Sequence, residues 1–195
     1  MSRFYPALPD TYSLIDLLRL DALRVYHLSH GAEVSSPRCF RLWFFLLSPF
    51  MVPVLFYRLS YFFRLCNIQV LAKLLTCLNF LLFGIEIASS CSIGPGLFIP
   101  HPHGTVIGAW TIGSNATIFQ GVTLGAKHLV FDFDRSSRPI LGDNITIGAG
   151  AKVLGGILIG SNSVVGANSV VISDVPPGSI VAGVPGKIIR LTELS

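Results

Sequence analysis

From about Ile87 to Pro176 the chain returns to an aliphatic residue at every sixth position. Ile93, Ile112, Ile118 and Leu124 mark the beat, and Leu141, Ile147, Val153, Ile159, Val165 and Val171 resume it. Gly often follows the aliphatic residue, and the fifth position of the hexad is often small, as at Ala116, Val122, Ala151, Ser163 and Ser169. A period of six fits neither a helix nor an alternating strand. It fits short strands meeting at regular corners, with the aliphatic residue inside and Gly, Asn or Asp at turns where positive φ is cheap. Three hexads close one coil of a triangular prism, and each coil buries its inner face against its neighbours. The period leaves the handedness open.

The beat breaks twice. His101-Pro102-His103-Gly104 intervenes between Ile99 and Val106, and a polar excursion around Lys127 to Arg138 separates Leu124 from Leu141. On a rigid scaffold such interruptions are the natural place for function.

Before the solenoid the pattern changes. Ser13 is placed to cap a helix through Leu14, Leu17, Leu18 and Leu20 to Leu23, with Asp16 in its first turn. Residues 1–10 read as an irregular lead-in, and Gly31 to Pro37 as a break. Phe40 to Phe63 is largely apolar, interrupted by Pro49 and Pro53, and its uncharged run Leu42 to Tyr57 is 16 residues long. That is shorter than the roughly 20 needed to span a bilayer. A second apolar segment, Val70 to Phe83, is also short and carries Lys73. Three arrangements compete: two helices packed on each other and on a partner subunit, two helices in a membrane interface with aromatic and Arg anchors, and a membrane-spanning hairpin. Gly84 ends this region, Ile85-Glu86-Ile87 opens the first coil, and Pro176-Pro177-Gly178 stops the solenoid. Residues 181–189 then read as one closing strand over the open end. The expected divisions are a helical region at 1–84, a solenoid at 85–178 with its excursion at 126–139, and a closing segment at 179–195.

Composition narrows the classes. Of 195 residues, 51% are apolar and only 12% charged, and the net charge of +4 forms no stripe suited to nucleic acid. Cys39, Cys66, Cys77 and Cys91 lack paired spacing, which argues against structural zinc and a disulfide framework. Asp10, Asp16 and Asp21 interrupt the first 30 residues, so no secretory core is present there. A cytoplasmic location follows, with peripheral contact at the inner membrane face left open.

The hexads, Gly-Val-Thr-Leu-Gly at 121–125, Gly-Ala-Gly-Ala-Lys-Val-Leu-Gly at 148–155 and the Val-Pro-Gly-Lys tail resemble the hexapeptide-repeat acyltransferases. The similarity is to the branch of serine and polysaccharide O-acetyltransferases. It spans Leu55 to Ile189 and reaches into Phe56-Tyr57-Arg58-Leu59, which resembles that branch's tyrosine-arginine helix. The resemblance implies a left-handed parallel β-helix behind a small apolar α-helical region. It also implies a homotrimer or a dimer of trimers with active sites between prisms, acetyl-CoA as donor, and no metal. It places the catalytic histidine on His101 and its supporting acid on Glu86. A neutral imidazole can take the proton from an attacking hydroxyl near pH 7, and a carboxylate on its far nitrogen would fix the tautomer. His103 is a second site candidate. The pantetheine groove maps to Gly148, Ala149, Gly150 and Ala151, with Lys152 and Lys187 for the nucleotide phosphates and Gly121 as an oxyanion donor. Cys91 has no basic neighbour in sequence, so direct transfer is expected rather than an acyl-cysteine.

Departures from the serine enzymes bear on the acceptor. Pro100 precedes the histidine where those enzymes have Asp, and Ala88 stands where they have His. Ser137 and Arg138 occupy the positions of their Arg and His. Arg135 or Arg138 is left to rebuild a carboxylate site. The sequence therefore favours a saccharide acceptor, with L-serine as the alternative and a solenoid scaffold as the non-enzymatic one.

Overall fold

The computed structural model describes residues 12–31, 45–130 and 132–191. The expected lead-in, most of the break after Gly31 and the start of the apolar stretch lie outside these residues. Helix α1 (Leu14–His30) begins on Ser13, whose hydroxyl accepts the Asp16 amide at 3.2 Å, and runs on past Leu23 to Gly31. Helix α2 (Val52–Leu65) carries Pro53 in its first turn, where a missing N–H breaks no helical bond. Helix α3 (Gln69–Phe83) ends on Gly84 in the left-handed conformation, φ 63°.

Helices α2 and α3 pack against each other. Ser60 Oγ donates to the Ala72 carbonyl at 2.8 Å, and Asn79 Nδ2 donates to the Pro53 carbonyl at 3.0 Å. No helix among the described residues is long and apolar enough to cross a membrane. The outer side of α3 remains apolar, with Val70, Leu74, Leu81 and Leu82 exposed.

The solenoid follows as three faces. The first stacks β1 (Ile85–Ile87), β3 (Thr105–Ile107), β6 (Thr123–Gly125), β9 (Lys152–Leu154) and β12 (Val170–Val171). The second stacks β2 (Ser92–Ile93), β4 (Thr111–Ile112), β7 (Ile140–Leu141) and β10 (Leu158–Ile159). The third stacks β5 (Thr117–Ile118), β8 (Thr146–Ile147), β11 (Val164–Val165), β13 (Ser179–Ala182) and β14 (Lys187–Leu191). Every pairing is parallel except β13 with β14. Leu141 lies beside Ile159, Ile147 beside Val165 and Val153 beside Val171, three hexads apart each time. These aliphatic side chains are completely buried or nearly so, and the small fifth residues Ala116, Ala151, Ser163 and Ser169 are buried with them. At the turns Asn115, Asn144 and Asn162 take positive φ, and their side-chain amides form a ladder with steps of 3.2 and 3.0 Å.

Two features differ from the sequence expectation. Parallel stacking goes on past Pro176 and Pro177, because Val164 and Val165 on β11 leave an edge that Ile180 and Val181 extend. Residues 181–189 are accordingly not one strand: the chain turns at Gly183 to Gly186, and β14 returns antiparallel on β13.

The helices are fastened to the open end of the first coil by buried charge. Asp21 accepts from Arg58 Nε at 2.9 Å and Nη2 at 3.1 Å, and from the Gly96 and Leu97 amides at 2.7 and 2.9 Å. Arg58 also donates to the Ile93 and Gly94 carbonyls, and Tyr57 donates to the Cys91 carbonyl at 2.7 Å. Burial pulls the Arg58 guanidinium down, but Asp21 and Tyr57 outweigh it and hold the group above its ordinary range, so it stays charged. Arg24 adds bonds to the Gly96 and Ala116 carbonyls and to Thr117 Oγ1.

Candidate active site

The candidate residues fall on two edges of the prism and on the face between them. The edge leading from the third face into the first carries His101 and His103 in the first coil, Gly121 in the next, then Gly148 to Gly150. Backbone bonds tie these levels together: the Gly121 amide donates to the His103 carbonyl at 3.2 Å, the Gly150 amide to Gln120 at 2.8 Å, and the Asn168 amide to Ala149 at 2.8 Å. Gly104, Gly121 and Gly150 form a column with φ of 73°, 68° and 72°, so their Cα atoms close the corner without side chains. The edge ends at the turn before Lys187, where the Gly186 amide donates to the Val170 carbonyl at 2.7 Å. His101, His103 and Lys187 are exposed.

Glu86 points outward from β1, in register with Val106, Thr123 and Lys152 along the first face. It lines an open groove of about 400 Å³ with Lys73, Thr76, Cys77 and Phe80 of α3, and with Ala88 and Ser89. The His103 ring lies over the helix-to-coil junction: a Cβ on Gly84 would stand 2.5 Å from its Nδ1.

The excursion returns to the opposite edge of the first face. Its backbone packs on Gly156, where an added Cβ would overlap the Ser136 carbonyl. Arg138 Nη1 donates to the Gly108 carbonyl at 2.9 Å, and its guanidinium lies over the Phe133 ring, 4.4 Å from the centroid. Arg135 is exposed on the same excursion. There the Ser136 hydroxyl bonds Asp134, and this bond holds the Asp134 carboxyl below its usual range.

Several expected roles change on this geometry. Ala151 is buried inside the prism, because the fifth hexad position points inward, so its side chain cannot line a donor groove. The Gly121 amide is occupied by His103, and the Gly121 carbonyl accepts the Lys152 ammonium, so neither group is idle. A Cβ on Gly148 would come within 2.6 Å of the Ala167 amide, so coil stacking alone demands glycine there. Cys91 is buried, and burial pushes its thiol up to about 12 against the opposing pull of Arg58 and Arg138; it is no nucleophile at neutral pH.

Residues 138–173 match the family model described as bacterial transferase hexapeptide (six repeats). The serine acetyltransferase of Helicobacter pylori strain J99 is 43% identical over 145 residues, covering 74% of this chain and 83% of that protein. The chain belongs to the hexapeptide-repeat acyltransferases, in their serine acetyltransferase branch. It is an acyltransferase, and its prism is the left-handed parallel β-helix of that family. The Neisseria gonorrhoeae serine acetyltransferase, solved in complex with serine, superposes with a TM-score of 0.75 at 31% identity, covering 93% of this chain and 71% of that one. A serine acetyltransferase solved in complex with CoA superposes with a TM-score of 0.74 at 29% identity, covering 93% and 72%.

Sequence reasoning missed Asp21 and Arg24, which fasten α1 to the first coil. The signal for Asp21 was available: it sits on the stripe of Leu14, Leu17, Leu18 and Val25, where a carboxylate needs a buried partner.

Proposed function

We propose that this chain is an acetyl-CoA-dependent O-acetyltransferase with L-serine as acceptor, working as a homotrimer. The observation that carries it is the single edge holding His101, the glycine column and the turn before Lys187, with Glu86 on the adjoining face. Serine enzymes among the relatives support the acceptor, against the saccharide that the motif departures favour.

In this reading the His101 imidazole takes the proton of the serine hydroxyl as its oxygen attacks the thioester carbonyl. The tetrahedral intermediate collapses, the C–S bond breaks, and the imidazolium returns the proton to the departing thiolate. Glu86 orients the imidazole and stabilises its charged form. CoA lies along the edge, its phosphates near Lys187. Arg138, already held by Gly108 and Phe133, or Arg135 beside it, meets the serine carboxylate.

One observation keeps a saccharide in view: Ser137 removes one cation, and Arg138 spends part of its donor fork on the Gly108 carbonyl. The test is thiol release from acetyl-CoA with L-serine and, separately, with a panel of sugars and nucleotide sugars. L-serine is expected to drive turnover, and His101→Ala to lower kcat by about 10²–10⁴-fold with the fold retained. Turnover with sugars alone overturns the acceptor assignment, and unchanged turnover in His101→Ala overturns the mechanism.

A further inference from the structure

A second cleft, of about 510 Å³, opens where the end of α2 and the start of α3 meet the second face and the excursion. Its aromatic wall is Trp110 with Phe133, ring centroids 5.6 Å apart and planes 29° from parallel, joined by Tyr61. Its polar lining is Arg64, Gln69, Ser90, Ser92 and Thr111, and no carboxylate is among the lining residues. Arg64 Nε and Ser92 Oγ are buried and lack a hydrogen-bond partner among the described residues. An aromatic wall facing a guanidinium and a hydroxyl- and amide-bearing lining, in a cleft of this size, suits a polar ring that carries negative charge.

We propose that this cleft binds an anionic monosaccharide unit, a hydroxylated ring bearing a carboxylate or a phosphate. The anion pairs with Arg64, which no lining carboxylate competes for. The ring's C–H face packs on Trp110, and its hydroxyls meet Ser90, Thr111 and Gln69. L-serine needs neither an aromatic wall nor this volume, so the site goes beyond the proposed acceptor chemistry and stands independently of it. Ser90 also lines the groove that reaches Glu86, so a ligand here adjoins the coil that carries the candidate acid.

The test uses the full chain with Trp43→Phe, which leaves Trp110 as the single tryptophan reporter. Glucuronate, glucose 1-phosphate, glucose and inorganic phosphate are titrated by fluorescence and by calorimetry. The two charged sugars are expected to bind with Kd on the order of 1 mM, a modest affinity suited to one ring. Glucose is expected to bind at least tenfold more weakly, and inorganic phosphate to leave Trp110 unchanged. Binding by one charged sugar alone identifies the anion. Arg64→Met is expected to weaken the charged sugars at least tenfold, and exposed Gln69→Ala gives a second variant that keeps the fold. His101→Ala is expected to bind the sugars normally, which separates this site from the catalytic assignment. No titration, equal titration by inorganic phosphate or glucose, or charged-sugar binding unaffected by Arg64→Met overturns the proposal.

Discussion

Replacing Asp21 with Ala removes one carboxylate and four hydrogen bonds at once. Arg58 loses its partner at 2.9 and 3.1 Å, and the Gly96 and Leu97 amides lose their acceptor, in a site where both charged side chains are fully buried. Removing one member of a buried ion pair costs about 3–5 kcal/mol, because the other charge stays dry and uncompensated. Water entering the small void relieves part of the cost of the two amides, so the pair sets the scale. Against a total of about 5–15 kcal/mol for a domain, that is a large share. The measurement is the urea midpoint followed by far-UV circular dichroism, comparing Asp21→Ala, Arg58→Met and the double variant. Each single variant is expected to lose about 3–5 kcal/mol, and the double to lose less than their sum by at least about 2 kcal/mol. Arg58→Met alone leaves the carboxylate two amide donors, so it should be the milder single change. A loss below about 1 kcal/mol in Asp21→Ala, or additive single effects, refutes the view that this pair fastens the helices to the coil.

Gly84→Ala is expected to lose more than the about 1–2 kcal/mol that a left-handed backbone alone costs a residue with a Cβ, because the new Cβ also meets the His103 ring. Thermal melts with thiol-release rates check it, and a loss equally large in Gly84→Ala with and without His103→Ala would remove His103 from the junction. Alkylation of the native protein at pH 8 is expected to modify exposed Cys66 and Cys77 and to spare buried Cys91, as read by peptide mass mapping. An unfolded Cys91 ionises near 9.0 and the folded one near about 12, so stability present below pH 9 should fall as pH rises towards 12. Labelling of Cys91 without denaturant contradicts that burial.

The repeat was legible because a hexad writes the same instruction many times: Ile147, Val153, Ile159 and Val165 each specify an inward residue, so single irregularities do not shift the register. The end of the solenoid was less legible. Pro176 and Pro177 are strand breakers in isolation, yet they occupy a corner, and the strand edge of β11 recruits Ile180 and Val181 beyond them. In the site, His101 and the glycine column were visible as breaks and turns in the beat. The inward direction of Ala151 was implicit in the same beat, since the fifth position faces the core at Ala116, Ser163 and Ser169 as well. The cleft lined by Arg64, Ser92, Trp110 and Phe133 carries no signature at all, because its walls come from α2, the second face and the excursion, joined only by folding.

That division has a consequence for how specificity can vary on this scaffold. The edge with His101, Gly121 and Gly150 is fixed by the repeat itself: Gly148, Gly121 and Gly150 are required by coil stacking or by positive φ whatever the enzyme binds. Changing them would damage the prism before it changed a substrate. The excursion and the last turn of α2 carry no such load. Ser136, Ser137 and Arg138 sit on an excursion that touches the coils at Gly108 and Gly156, and Arg64 sits where α2 leaves the prism. Substitutions there alter charge and shape beside the first face while leaving the stacked strands intact. A chain can therefore retain the donor half of an acetyltransferase and still present a different surface to the acceptor.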